Sequence, residues 1–135
     1  MAKSDLFHCS VITPERSVLD CEARFVSFPA HDGEVGILKN RAPLVCKLGI
    51  GTLRVEAAEG TQLLFMDGGF AQMLENRLTI LTSQARFAIE LNAASAERAL
   101  GEARAMIVRD DATLKARTTA EQRARAQLRL LHRSA

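Results

Sequence analysis

Residues 77–107 read RLTILTSQARFAIELNAASAERALGEARAMI, and the spacing of their apolar side chains changes partway along. In Arg77-Leu78-Thr79-Ile80-Leu81 apolar and polar residues alternate, which is the period of a strand buried on one face. From Asn92 onward Gly and Pro nearly vanish, Ala becomes frequent, and the period lengthens to about 3.6. The switch predicts a β domain over residues 1–88 and a helical domain over residues 89–135.

Upstream of the switch, short apolar segments recur at intervals of roughly ten residues, the spacing of a sandwich or barrel. The predicted strands are Leu6–Thr13, Ser17–Glu22, Arg24–Phe28, Glu34–Leu38, Leu44–Leu48, Thr52–Ala57, Gln62–Asp67, Phe70–Leu74, Arg77–Leu81 and Ser83–Ala88. Pro14-Glu15-Arg16, Asp32-Gly33, Gly49-Ile50-Gly51, Glu59-Gly60, Gly68-Gly69 and Glu75-Asn76 supply the backbone freedom or fixed φ of tight turns. With no helical crossover between strands, the sheet is expected to be antiparallel. The fold class read from these patterns is an N-terminal antiparallel β-sandwich of about ten strands followed by a C-terminal two-helix antiparallel hairpin.

Downstream, Asn92 is a credible N-cap for a first helix whose Ala96, Ala99, Leu100, Ala103, Met106 and Ile107 share a face. Arg109-Asp110-Asp111 breaks that pattern, and Asp110, Asp111 or Thr113 can cap a second helix running towards His132. Its apolar stripe is Ala116, Ala120, Ala124, Leu128 and Leu131, while Arg125, Arg129 and Arg133 stand four apart on another face. Alanine seams bury little area at about 25 cal/mol per Å², so the hairpin is expected to be held weakly and to open or swing.

The charge is uneven. Residues 1–88 carry net −1 and residues 89–113 net −2, whereas residues 114–135 hold six basic side chains against one acidic, net +5. That basicity belongs to an acidic partner or to a solvated helix face. No apolar run approaches the 18 or so residues of a membrane span, and the start MAKSDLFHCS has neither secretory nor transit-peptide character, which predicts a soluble, cytosolic chain. Cys9, Cys21 and Cys46 are odd in number and form no C-x-x-C pair, so they read as reduced, mostly buried small hydrophobes.

Chemical constellations are thin. His31, Asp32 and Glu34 sit in a predicted turn with no second His nearby, which favours a polar contact loop over a metal or acid/base site. His8 and Cys9 are neighbours on a strand and point to opposite faces, so they do not form a nucleophile-base dyad. Asp67-Gly68-Gly69 lacks the Lys-Ser or Lys-Thr of a phosphate loop and reads as a hairpin turn. The chain has no Trp and no Tyr for base stacking, which disfavours nucleic acid as a partner of the basic tail. Catalytic, cofactor and metal residues are therefore expected to be absent; a free-standing β-sandwich binding module with a helical dimerisation hairpin is the competing class.

Four segments carry a family resemblance: VITPERSVLDCEA (11–23), FPAHDGEVGILKNRAPLV (28–45), LGIGTLRV (48–55) and DGGFAQMLENRLTILT (67–82). In that order, ahead of an Ala-rich helical pair, they resemble the epsilon subunit of bacterial F-type ATP synthase. The resemblance implies a ten-stranded sandwich plus helical hairpin with no active site and no cofactor. It implies a rotor subunit that binds the gamma subunit and the c-subunit ring, peripheral at the cytoplasmic face of the bacterial inner membrane and not inserted in it. It implies that Glu34, Val35, Gly36, Ile37, Asn40, Arg41 and Ala42 meet the ring; Asn40-Arg41-Ala42-Pro43 matches a family segment often written Asn-His-Ala-Pro, with a permanent guanidinium replacing the imidazole. It implies that the hairpin extends into the alpha and beta subunits of the catalytic head, where Arg125, Arg129 and Arg133 would act as a brake on ATP hydrolysis. Some members bind ATP through Ile/Leu-Asp-x-x-Arg-Ala; here Leu91, Asn92, Ser95 and Ala96 occupy the motif without its acid or arginine, which argues against nucleotide binding.

Overall fold

The computed structural model describes residues 5–134, so the outermost ends of the two expected domains, residues 1–4 and 135, lie outside the described residues. Seven strands precede two helices: β1 (Phe7–Ile12), β2 (Ser17–Ala30), β3 (Gly33–Ile37), β4 (Leu44–Ala57), β5 (Gly60–Leu74), β6 (Arg77–Leu81), β7 (Ala85–Phe87), α1 (Ala93–Ala105) and α2 (Asp111–Ser134). A 3₁₀ turn over Ala88–Glu90 links the two parts.

The expected ten strands become seven because three predicted pairs fuse into the long strands β2, β4 and β5. Gly49-Ile50-Gly51 and Gly68-Gly69 bend the chain without ending it: Leu48 pairs with Gly69 and Ile50 with Asp67 in unbroken register across the bend. Gly69 has φ 109°, and a Cβ there would stand 1.9 Å from the Leu81 carbonyl oxygen, so only glycine fits. On β2 the register against β4 slips between Ser27 and Ala30, where that strand rounds the same corner.

The sheet closes. Strands run β1-β6-β5-β4-β2, and β2 returns to pair with β1, leaving β3 on β2 and β7 on β5 outside the circuit. An odd circuit of five strands cannot alternate direction all the way round. One neighbouring pair must be parallel, and it is β1 with β6, which corrects the wholly antiparallel expectation. Closure leaves few edges and encloses a core that includes Phe7, Phe28, Ile37, Leu53, Met66 and Leu78, each at most 1% exposed.

Outside the circuit, α2 packs on β4 and β5, and α1 packs on α2. A second apolar cluster of Phe65, Leu91, Ala126 and Leu130, flanked by Ile50, Leu63 and Leu131, fixes α2 to the β domain. Leu64 and Met66 face the inner core while Phe65 between them faces the helix, as strand alternation requires. The alanine seam lies between the helices, with Ala96, Ala103 and Ala124 buried. The weak joint is therefore helix to helix, whereas the attachment to the sheet carries a Phe and two Leu.

Candidate functional site

The segment 28–45 divides into a hairpin turn and a loop. Phe28 pairs with Val35 and Val26 with Ile37, which turns Val35 and Ile37 inward and Glu34 and Gly36 outward. Ile37 is fully buried and Val35 packs against the core, so of the seven expected ring-contact residues these two serve the fold. Gly36 is exposed, yet a Cβ there would come within 2.9 Å of the Phe25 ring. Glu34, Arg41 and Ala42 remain exposed, beside Leu38 at 60%. Asn40 has φ 66° and is engaged internally: its N–H donates to Asn76 Oδ1 (2.7 Å), and Asn76 Nδ2 donates to Asn40 Oδ1 (3.2 Å). This two-bond clasp fastens the loop to the β5–β6 turn, holding Arg41 and Ala42 in place. Asp32 and Arg41 both act on the Cys46 thiol, whose pKa burial raises, with Asp32 adding to the rise and Arg41 opposing it.

A second surface was not anticipated from the sequence. Val45 on β4, Phe70 on β5 and Leu81 on β6 are 71%, 56% and 51% exposed and line one shallow hollow. Phe70 is the direct partner of Leu81, and Val45 pairs with Gln72, two positions from Phe70 on the same face. Strand alternation would have put Phe70 outward, but an aromatic residue reads by default as core. Together they form a water-facing apolar patch that spans three neighbouring strands.

In the basic helix, Arg125 bonds Glu121 (3.1 Å), which Arg117 also holds (3.1 Å), while Arg129 and Arg133 are exposed. Arg123, outside that stripe, reaches Asp67 of β5 at 2.8 Å. Asp67 lies within a strand, so the turn expected at Asp67-Gly68-Gly69 is a bend in β5. At the start of α1, Asn92 Oδ1 accepts the Ser95 N–H (2.9 Å), so two positions of the degenerate nucleotide motif form a helix cap.

His8 points away from buried Cys9 and contacts Asp20, with Glu22 at 3.6 Å. Among the described residues no group of three or more His, Cys, Asp or Glu is placed to hold a metal ion. Among the described residues no helix is long and apolar enough to cross a membrane.

The molecule is thus a closed β domain with an exposed apolar hollow, a clasped polar loop and a basic helical arm laid on its side. Residues 6–88 match the family described as ATP synthase, Delta/Epsilon chain, beta-sandwich domain. The ATP synthase epsilon chain of Rhodopirellula baltica is 40% identical over 121 residues, covering 90% of the chain and 94% of that relative. That of Priestia megaterium is 40% identical over 92 residues, covering 68% and 69%. A chain in the Euglena gracilis mitochondrial ATP synthase OSCP/F1/c-ring assembly has the same fold at TM-score 0.84 and 23% identity, over 96% of this chain and 82% of that one. Another, in the central stalk/c-ring of the Tetrahymena thermophila mitochondrial ATP synthase, gives TM-score 0.73 and 14% identity over 92% and 95%. The chain belongs to the ATP synthase epsilon-chain family and is a non-catalytic subunit.

Proposed function

We propose that the chain is a rotor subunit of the central stalk, bound to the gamma subunit through the Val45, Phe70 and Leu81 hollow and to the c-subunit ring through Glu34, Arg41 and Ala42. The exposed hollow is the observation that carries this reading. Three large apolar side chains of three neighbouring strands lie together on this water-facing surface, and it is separate from the apolar face that α2 covers. The clasped loop adds a rigid polar foot with both charge signs, suited to polar loops on a ring. The complex sits peripherally at the cytoplasmic face of the bacterial membrane. In this reading the α1–α2 arm is a brake: released from the β domain, it brings Arg125, Arg129 and Arg133 to acidic segments of the alpha and beta subunits.

Phe70→Glu tests the hollow. Phe70 is more than half exposed, so its loss should leave the melting temperature of the isolated chain nearly unchanged. Co-purification with a co-expressed gamma subunit should fall at least tenfold. Undiminished recovery of the pair would move the gamma contact elsewhere.

A further inference from the structure

Among the described residues an apolar plug and an ion pair join the arm to the β domain, and the ion pair has an unusual setting. Asp67 is 12% exposed in its side chain, and Arg123 is 48% exposed. The backbone of Asp67 is already engaged: its N–H donates to the Gln84 carbonyl (3.0 Å), and its own carbonyl accepts the Ser83 hydroxyl (2.9 Å). These bonds fix the carboxylate beneath α2, where Arg123 Nε holds it at 2.8 Å. The other arginines of α2 with ion pairs, Arg117 and Arg125, bond within the helix to Glu121, so among the described residues Arg123 alone bridges helix and sheet by charge.

We propose that Asp67 and Arg123 form an electrostatic latch that sets how often the arm leaves the β domain. The apolar plug of Phe65, Leu91, Ala126 and Leu130 is non-directional and insensitive to moderate salt. The ion pair is directional, and its exposed guanidinium is open to competition from a carboxylate on another chain. An acidic segment of a partner that takes Arg123 removes the latch and gains the charge contact in the same exchange. Arg123, rather than the Arg125, Arg129 and Arg133 stripe, is then the residue through which an acidic partner opens the arm. The regulatory meaning of the latch rests on the brake reading; the latch itself is a property of the isolated chain.

Amide hydrogen exchange of the isolated full-length chain, followed by NMR, tests it. Asp67→Asn leaves α2 untouched, and Arg123→Gln keeps a similar helix propensity, so neither weakens the helix itself. Each should speed exchange across residues 119–131 about three- to fivefold, the range of a partly exposed ion pair, while β4 and β5 amides keep their rates. Raising salt from about 0.05 to about 1 M should speed exchange in the parent α2 more than in either variant, which keep only the pairs of Arg117 and Arg125 with Glu121 inside the helix. Unchanged α2 rates, an equal rise in the strands, or a salt response as large in the variants as in the parent would each overturn the latch. ATP hydrolysis by the assembled complex is read separately: variants that open faster alone but hydrolyse at the parent rate leave the latch standing and refute the brake.

Discussion

Cys9 stands directly across β1 and β2 from Cys21, with its thiol sealed in the core. Burial, with Cys21 and Asp20 adding to it, pushes its pKa up to about 12. The sign of the linked stability follows. The folded chain keeps the Cys9 proton above pH 9, where the unfolded chain gives it up. Stability is therefore whole below about pH 9 and falls by up to about 1.4 kcal/mol per pH step as the pH climbs towards 12. Cys9→Ala should start less stable, because it leaves a small void, and should lose most of that slope. Urea midpoints at about pH 8 and pH 10.5 check this, and equal slopes in both proteins would place the alkaline sensitivity in other groups. The sequence made Cys9 legible as a buried small hydrophobe, because alternation along Phe7, Cys9 and Val11 sends all three inward. The same rule sends Val35 and Ile37 inward, and Ile37, fully buried, has no surface left for a ring contact. The clasp between Asn40 and Asn76 was not legible, since two polar residues in separate turns meet only once the sheet has closed.

The two helices owe their starts to local chemistry, which is why those were readable; Met106 and Ile107, expected on the buried face of the first helix, lie beyond its end at Ala105, and Ile107 is 69% exposed. Asp110 caps α2: its Oδ1 accepts the Thr113 N–H (2.9 Å), and the Thr113 hydroxyl in turn accepts the N–H groups of Arg109 (2.8 Å) and Asp110 (3.0 Å). The bond from the Thr113 backbone, followed by that from its side chain, holds the Asp110 carboxyl below its ordinary pKa. A depressed folded pKa means that the cap is fully present above the ordinary carboxylate value and is lost as pH falls through the depressed one. Asp110→Asn keeps an acceptor and should abolish this acid dependence; Asp110→Ala should fray the start of α2 at every pH. The exchange rate of the Thr113 amide across an acid titration checks both, and a flat profile in the parent would contradict the cap's role. Strand lengths were harder to read, because a glycine pair serves a tight turn and a bend equally well; only the long-range pairing of Leu48 with Gly69 decides between them. The α2 stripe was read incompletely for a related reason. Ala124 is buried and Leu131 packs on the sheet cluster, but Ala126 and Leu130 are buried against the sheet as well, so the helix has two buried faces and one period missed part of the second.

At the scale of the molecule the β domain and the arm divide the work. The foot should govern coupling: Glu34→Lys combined with Arg41→Glu reverses two exposed charges without touching the core. In reconstituted vesicles the ratio of ATP-driven proton pumping to ATP hydrolysis should fall in that double variant, and an unchanged ratio would take the foot off the ring. The arm should govern direction. Exposed ion pairs contribute only about 0.2–1 kcal/mol each, so a brake needs several in register, and Arg125, Arg129 and Arg133 offer three on one helix face. Deleting residues 89–135 removes them, and it also uncovers Phe65, Leu63 and Ile50, so the truncated chain should fold but become more prone to self-associate before assembly. The most direct test is the ATP hydrolysis rate of the purified complex carrying either the full chain or the 1–88 truncation, at matched subunit content and across a range of ionic strengths. Hydrolysis should be faster with the truncation, and much of the same rise should appear when Arg125, Arg129 and Arg133 are all replaced by alanine in the full chain. Equal rates for all three complexes at every ionic strength would show that the arm is no brake.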